Sequence, residues 1–487
     1  MKKDTAEALT SNGGLQDLTT INVLEAAYKA WNGGVFLRES RLRNKKFTYG
    51  DQLEELITTP DGRKISERRY NEENGRESLK NNLIRQMVKS IIGRFRTLLK
   101  EDGNIEMLEI REAHSLDEMD SRMLEEFLIS GCSIQKVDLK RQFNAIGLHV
   151  QNVNLNQFFI NAIKDFMGRD CELVGEIHDM TISELIMRLS FGDRVKAESL
   201  RKIYSTEATS RTVDLRTMLG LDGESGTDFW HSSTGRCRVI EVWTLESREM
   251  LKCHDYLTGE YYVLPYESKA GVDSTNKERE KGGLPLIGAR WEIEEVWHCR
   301  WISPMGDLLA EYDSPFPHKE HPYVVKMYPL TDGEVHSFVE DVIDQQKYVN
   351  RLISMIDHIM SVSAKGVLLY PVDALPEGYS WDDIKRAWAS CNGVLPIDTN
   401  KNAMPQQIST NATGIGAHEL LTLELKLFEE ISGVTGVLKG KTNNSITGSK
   451  LYDSQVENAS IALADIFETF NSFRHTRNKK IKSLAIC

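Results

Sequence analysis

Residues 433–451 contain the combination of glycine, lysine and threonine that binds nucleotide phosphates in P-loop proteins. A P-loop needs five steps between its first glycine and the glycine before the lysine, because successive backbone N–H groups must surround a phosphate. The segment has Gly-Lys-Thr at 440–442, but Thr435 lies where the first glycine is required, and Gly436 is one residue too close. The spacing therefore argues against an ATP-binding loop.

The segments on either side of this stretch have the pattern of helices, whereas a P-loop follows a buried strand. Residues 418–432 place apolar side chains on a helical stripe, and Gly433 stands where a helix is expected to end. Residues 447–470 predict a second helix, whose apolar positions repeat about every 3.5 residues and favour packing along another helix. These positions are Tyr452, Val456, Ala459, Leu463, Ile466 and Phe470.

Histidine and cysteine stand side by side in two places, which raises the question of a zinc site. Cys-His at 253–254 and His-Cys at 298–299 lie in segments that resemble β-strands, where neighbouring side chains point to opposite faces. At most one residue of each pair could share a site, so ordinary strand residues explain the pairs better. The two histidines of 318–321 lie between prolines and lack metalloprotease spacing. We expect no metal, no cofactor and no catalytic residues.

Two basic clusters allow more than one interpretation. Residues 474–482 would suit a nucleic-acid contact, and they would suit equally the cationic last turns of a helix. The cluster at 38–46 could pair with acidic groups of a neighbouring copy or lie in solvent. The sequence alone leaves both choices open.

The composition is that of a folded globular protein. Its 487 residues suffice for roughly two to four domains, with 40% hydrophobic and 27% charged residues. The formal net charge of −12 indicates a protein that either avoids nucleic acid or lets it pass without adhering. Scattered cysteines without a CxxC pair, no signal peptide and no apolar run of about 20 residues predict a cytosolic chain with reduced thiols.

The order of predicted elements defines an α+β fold. Residues up to about 210 are mainly helical, with one helix ended by Gly131 and another begun by a capping box at Thr181. Residues 235–330 carry β-branched and aromatic runs that predict a small β-rich unit. Within it, the polar residues 268–283 predict an exposed loop.

Long helices are predicted again after the β-rich unit. An apolar seam from 334 to 363, broken only by Gln346, predicts a helix about 45 Å long at 1.5 Å per residue. A strand, turn, helix and strand follow before the helices at 418–432 and 447–470. The α-helical content is therefore divided between the two ends of the chain.

Four segments of the chain have counterparts, in the same order, in one known family. The first carries Trp31, Arg38, Arg41, Arg43, Tyr49, Gly50, Asp51 and Gln52. It resembles the N-terminal signature of tailed-phage portal proteins. Segments 150–185, 317–359 and 430–451 resemble a wing segment, the entry into a Gln/Asn-containing helix, and the passage between stem helices. The resemblance covers about residues 20–475 and is nearest to portals of podovirus-like and crAss-like phages.

The resemblance implies a structural and non-enzymatic protein. Portals form a dodecameric ring at one capsid vertex, through which double-stranded DNA enters and leaves without sequence-specific contacts. The implied partners are the large terminase subunit, the major capsid protein and head–tail adaptor proteins, with no membrane. The virion would be the final location, after assembly in the host bacterial cytoplasm.

The resemblance also assigns roles to residues. The loop that docks terminase, called the clip, would include Gly436, Lys439, Lys441, Asn443, Asn444, Thr447 and Gly448. The helices at 418–432 and 447–470 would form the stem pair, and the apolar series from Tyr452 to Phe470 would contact neighbouring copies.

We expect five regions along the chain. They are a flexible N-terminus at 1–20, a mainly helical wing at 21–235, a β-rich wing domain at 236–330, a long helix with an α/β segment at 331–417, and stem helices with the clip at 418–487. The family continues into a tunnel loop and a helical crown, so we expect a truncated chain, a split gene or a reduced form. The alternatives are a metal- or nucleotide-dependent packaging enzyme and an oligomeric scaffold.

Overall fold

The computed structural model divides the chain into two compact units. Unit 1 is formed by residues 1–45, 92–340 and 463–487, and unit 2 by residues 46–91 and 341–462. The structure describes residues 19–73, 77–101, 108–142, 145–165, 167–210, 228–232, 236–365, 367–372, 375–376, 378–389, 396–397, 404–408, 415–434 and 461–485.

The described helices and strands make the chain an α+β protein. The helices are α1 (Thr20–Gly33), α2 (Val35–Tyr49), α3 (Glu67–Glu73), α4 (Leu83–Glu101), α5 (Leu108–Ala113), α6 (Leu116–Ser130), α7 (Ile182–Leu189), α8 (Arg194–Ser210), α9 (Lys269–Lys281), α10 (Ile343–Lys365), α11 (Trp381–Ala389), α12 (Ile415–Ser432) and α13 (Ala464–Ala485). The strands are β1 (Leu56–Thr58), β2 (Lys64–Ser66), β3 (Cys132–Gln142), β4 (Ala145–Asn152), β5 (Phe158–Ile160), β6 (Leu173–Met180), β7 (Cys237–Asp255), β8 (Tyr261–Pro265), β9 (Ile287–Ile302), β10 (Leu308–Asp313), β11 (Tyr323–Met327), β12 (Leu330–Thr331), β13 (Glu334–Val335), β14 (Val367–Leu369) and β15 (Gln406–Ile408).

Unit 1 is built around two antiparallel sheets. The larger has the strand order β10-β9-β7-β6-β5, and β8 pairs with residues 250–254 of β7. The smaller has the order β11-β3-β4. Strand β7 is buried from Cys237 to Thr244 and more exposed from Leu245 onward, because β6 pairs with the first part only. The β-rich character of residues 235–330 is confirmed.

Local signals for helix ends are confirmed where the structure describes them. The side chain of Thr181 accepts a hydrogen bond from the backbone of Glu184, and Glu184 returns one, which is the predicted capping box. Gly131 ends α6 at φ 72°, where an added Cβ would lie 2.6 Å from Val335. Gly433 follows α12 at φ 63°. Glycine is required at both helix ends because the left-handed conformation strains residues with a Cβ.

The predicted exposed loop at 268–283 is wrong, since these residues form helix α9. Val272 is buried against Leu251, Cys253 and Ile287, which gives the helix an apolar anchor. Arg279 also binds Asp255 with two hydrogen bonds, of 2.6 and 2.8 Å. The side chain of Asn276 also exchanges two hydrogen bonds with the backbone of Ile287, at 2.9 and 2.7 Å. These tertiary contacts hold a helix whose residues 271–276 have weak helix propensity.

The predicted helix at 334–363 begins later than expected. Strands β12 and β13 form a hairpin around Gly333, which has φ 87°, and α10 starts only at Ile343. The apolar residues Val335 and Phe338 belong to this turn region and not to the helix. The apolar spacing continues from Val335 in β13 to Val342, so periodicity alone did not show that the helix begins only at Ile343.

The predicted helix at 447–470 is also corrected in its described part. Residues 462–463 form a turn, and α13 runs from Ala464 to Ala485. Helix α13 packs on β3 and β11 in unit 1, whereas α12 packs on α10 in unit 2. The described residues 464–470 therefore do not continue a stem helix paired with 418–432, and residues 447–460 lie outside the described chain.

Candidate functional site

The first half of the N-terminal motif forms a compact contact in unit 1. The guanidinium carbon of Arg38 lies 4.0 Å from the centroid of the Trp31 ring, and its Nη1 donates to the Trp31 carbonyl at 2.8 Å. Burial lowers the pKa of Arg38 to about 10. The contact fixes α2 against the end of α1, across the turn at Gly34.

Arg41 ties the same helix to α6. Its Nε and Nη2 donate to the two carboxylate oxygens of Glu126, the second at 2.9 Å. Asn44 adds hydrogen bonds to the Ile129 carbonyl at 3.1 Å and to the Ser337 hydroxyl at 2.8 Å. Arg41 thus pairs within its own chain, so neither interpretation of the basic cluster, a neighbouring copy or solvent, holds at this position. Arg43 is half-buried on the same helix.

The second half of the motif belongs to unit 2. Gly50 has φ 105°, and its carbonyl accepts a hydrogen bond from Lys80 at 2.8 Å. Arg85 lies over the ring of Tyr49 at 4.7 Å. Asp51 is exposed. The eight residues of the motif are therefore divided between the two units.

Gln52 belongs to a buried row of amides in unit 2 that the sequence analysis missed. Asn350 donates to Gln52 Oε1 at 2.8 Å. Gln346 Oε1 accepts the backbone N–H groups of Leu83 and Ile84 at 2.9 and 3.2 Å. Gln346 Nε2 also donates to the Asn81 carbonyl at 2.7 Å. Gln346, the polar residue within the predicted apolar seam, thus hydrogen-bonds the backbone at the start of α4 and anchors it to α10.

Three basic residues of α13, namely Arg474, Arg477 and Lys480, are buried in unit 1 and bind acidic and carbonyl groups. Arg474 Nε donates to Asp120 Oδ2 at 2.9 Å, and Arg477 donates to Asp120 Oδ1. Lys480 donates to the carbonyls of His321 and Tyr323 at 2.7 and 3.1 Å. These three side chains are therefore unavailable to nucleic acid, and these partners lie on other segments of unit 1 and not at the carboxyl end of their own helix.

The described members of the expected oligomer-contact series lie inside unit 1. Leu463, Ile466 and Phe470 are all buried. The ring of Phe470 lies 5.3 Å from that of Phe95 and 5.8 Å from that of Phe127. Because these residues fill the core of their own chain, their periodicity does not report a neighbouring copy. Tyr452, Val456 and Ala459 lie outside the described residues.

Glu176, His178 and Glu241 are close enough together to hold a metal ion. Lys136 already occupies this site, with its Nζ 2.5 Å from Glu241 and 3.6 Å from Glu176. Burial alone would raise the pKa of Glu241, but Lys136 and His178 outweigh it and hold that pKa well below its ordinary value. The ammonium group supplies the positive charge that a metal would bring, so the geometry fits an internal ion cluster.

The histidine–cysteine pairs serve packing and hydrogen bonding. Cys253 packs beside Val272, and His254 stacks on Tyr261 with ring centroids 4.0 Å apart. His298 lies 2.6 Å from Asp313, and Cys299 is fully buried. The side chains of each pair have separate surroundings, as the alternation of a strand requires.

The expected clip residues belong to the part of the chain that the structure does not describe. Residues 435–460 lie outside the described chain, and they include Gly436, Lys439, Lys441, Asn443, Asn444, Thr447 and Gly448.

Among the described helices, none has the length and apolar character that a membrane crossing needs.

Comparison with known proteins identifies the family. The model of the Phage P22-like portal protein family matches residues 111–485, a range that includes both sheets of unit 1 and helix α13. No curated protein matches the chain. Proteins of this family are in general structural, non-enzymatic virion components that form rings and act with capsid, terminase and DNA. The chain therefore belongs to the P22-like phage portal protein family, whose members serve DNA packaging.

Proposed function

We propose that copies of this chain form a closed ring, dodecameric by resemblance, at one capsid vertex and conduct double-stranded DNA during packaging and ejection. The observation that carries the proposal is the family match over residues 111–485. The ring acts as a conduit and carries out no catalysis. It is built in the host bacterial cytoplasm, within a phage of the podovirus-like or crAss-like type.

The proposal includes the roles that the sequence assigns to parts of the chain. Residues 436–448 form the clip, which docks the large terminase subunit during packaging and head–tail adaptor proteins afterwards. Residues 452–459 contribute to contacts between copies. The five regions remain the proposed division of labour, except that Ala464–Ala485 belongs to unit 1 and is not part of the proposed stem.

Mass and shape of the purified protein test the ring. Light scattering after gel filtration should give a mass of many copies, and negative-stain microscopy should show rings with a central hole. A protein that remains a single chain at all concentrations would contradict the proposal.

Binding of the terminase subunit tests the clip. The triple substitution Lys439→Ala, Lys441→Ala and Asn443→Ala should abolish terminase binding and leave the rings intact. The matched control is Lys479→Ala with Lys482→Ala, two exposed lysines on α13, which should bind terminase like the unchanged protein. ATP hydrolysis that disappears in Lys441→Ala alone would instead support a nucleotide-using enzyme.

A further inference from the structure

Residues 248–294 form an arm of unit 1 with a small core of its own. The arm comprises residues 248–255 of β7, all of β8 and α9, and residues 287–294 of β9. Leu251, Cys253, Val272 and Ile287 are buried in its core between the strands and α9. Beyond the end of this helix, the same face of the sheet remains uncovered, with Trp291 exposed to 49% and Ile293 to 47%.

A groove of about 490 Å³ lies on this uncovered face of the arm. It is lined by Glu249, Leu251, Tyr266, Lys269, Asp273, Ala289 and Trp291. Trp291 pairs with Leu251 across the two strands, so their side chains form an apolar floor. Glu249 and Asp273 add two acidic groups against the single base Lys269. The groove therefore suits an apolar side chain accompanied by positive charge.

A protruding apolar group lies elsewhere in unit 1, at the turn between α7 and α8. Phe191 is 66% exposed, and Met187 and Val195 beside it are 69% and 75% exposed. Lys196 lies 5.0 Å from the Phe191 ring. The side chain of Arg194 is 93% exposed and lies 3.5 Å from the exposed carboxylate of Glu198. We refer to Met187, Phe191, Val195 and Lys196 as the knob.

The backbone of the knob is strained at Phe191. Phe191 has φ 50°, a left-handed conformation that is unfavourable for a bulky residue. An asparagine or glycine would form the same turn at lower cost. Residues held in strained backbone conformations cluster at sites of contact and function. Among the described residues, the Phe191 ring contacts the edge of Tyr312 at 6.3 Å and Lys196 at 5.0 Å, and 66% of the residue stays exposed and available to a partner.

We propose that the knob of one copy inserts into the arm groove of the next copy. This inference rests on the proposed ring, in which each copy meets its neighbour through two different surfaces. Phe191 would lie on the Trp291 floor, and Lys196 and Arg194 would face Glu249 and Asp273. Buried aromatic pairs flanked by opposite charges are the usual energetic centre of such interfaces.

Phe191→Asn tests the knob without endangering the fold. Asparagine tolerates positive φ, so the melting temperature of the variant should equal or exceed that of the unchanged chain. The concentration needed for half-assembly, measured by light scattering, should rise about 30-fold, as expected for loss of an interface hot spot. Tyr261→Asn is the matched control: this tyrosine is 80% exposed on the opposite face of the arm, and the variant should assemble normally.

Charge exchange tests the partner surface. Glu249→Lys with Asp273→Lys should weaken assembly, and adding Arg194→Glu with Lys196→Glu in the same chain should restore it. If Phe191→Asn and Trp291→Ala both assemble like the unchanged chain, the contact is wrong while the ring remains. If the unchanged chain never assembles, the ring and the contact are both wrong.

Discussion

At the scale of single residues, buried charge decides which parts of unit 1 depend on one another. Asp120 is fully buried and receives hydrogen bonds from Arg474 and Arg477, the latter only 1% exposed. A buried ion cluster adds little net stability when complete, but removing one partner leaves the others as uncompensated charges. The carboxylate of Asp120 is therefore the critical member.

Asp120→Ala should destabilise unit 1 by about 3–5 kcal/mol, because two arginines would remain buried without a counter-charge. Urea denaturation followed by tryptophan fluorescence measures the loss. Glu118→Ala, on the same helix, removes a carboxylate that pairs with exposed Arg96 and Arg122, and it should change stability little. Equal effects of the two substitutions would show that the buried cluster has no special role.

His318 and His321 predict a loss of stability in mild acid. Burial, with Lys480 nearby, lowers the pKa of His318 to about 4 and that of His321 well below its ordinary value. Both rings accept a backbone N–H, from Glu320 at 3.1 Å and from Tyr323 at 3.2 Å, which requires the neutral form. The unfolded chain takes up protons near pH 6.5 while the folded chain resists them. Stability should therefore fall as pH drops from about 6.5 towards 4.

The measurement is the urea midpoint of unfolding at about pH 7.5, 6.5 and 5.5, values that bracket the ordinary pKa of histidine. His318→Gln combined with His321→Gln should flatten the decline, since glutamine takes up no proton. His475→Gln is the matched control, because His475 is exposed on α13, and its variant should keep the full decline. An unchanged slope in the double variant would contradict this assignment.

Sequence reasoning could identify the important basic residues but not their partners. Arg41 and Glu126 are 85 residues apart, and Arg474 and Asp120 are 354 apart. A sequence pattern reports neighbours within one helix or strand, so ion pairs of this range appear only once the fold is known. The alternatives of solvent, neighbouring copy or nucleic acid therefore had to remain open.

At the scale of elements, α10 shows how a polar residue in an apolar seam can be the functional one. Gln346 is fully buried and satisfies three backbone groups of residues 81–84. These groups precede and begin α4, where the first N–H groups of a helix have no partner within it. The amide therefore caps a helix that is far away in the sequence.

Gln346→Leu should destabilise unit 2 by roughly 1–3 kcal/mol for each buried backbone group left unpaired. Hydrogen exchange should show faster exchange at the amides of Leu83 and Ile84 in particular. Gln345→Leu is the matched control, because the buried Oε1 of Gln345 has no hydrogen-bond partner among the described residues, and it should be neutral or stabilising. Protection at Leu83 that survives Gln346→Leu would refute the capping role.

Elements with strong local signals were predictable, and elements that depend on tertiary anchors were not. The capping box at Thr181 and the helix ends at Gly131 and Gly433 use only nearby residues, and all three are confirmed. Helix α9 was missed because its polar sequence shows a single buried residue, Val272, whose partners are on other elements. Helix α10 was predicted to begin too early because the apolar spacing continues from Val335 in β13 to Val342, before the helix starts at Ile343.

At the scale of the whole molecule, fold class and family were within reach of the sequence. Alternating helical and β-rich blocks indicated the α+β fold, and four ordered segments indicated the portal family, both of which are confirmed. The sequence could not predict that α12 and α13 belong to different units. This division depends on where the chain re-enters unit 1, at residue 463, and no local pattern marks that position.

The net charge of −12 predicts that the proposed ring makes weak contact with DNA. Tight non-specific binding requires several cations that release counterions from the phosphates, and Arg474, Arg477 and Lys480 are buried in ion pairs or hydrogen bonds. Fluorescence anisotropy of a labelled duplex should show no binding at micromolar protein and about 0.15 M salt, below the affinity of ordinary non-specific binders. Lys479→Glu with Lys482→Glu, on the exposed side of α13, should leave this result unchanged. The contrary result is micromolar binding that falls steeply with salt and disappears in that double variant. It would mean that α13 binds DNA and that the prediction of weak DNA contact is wrong.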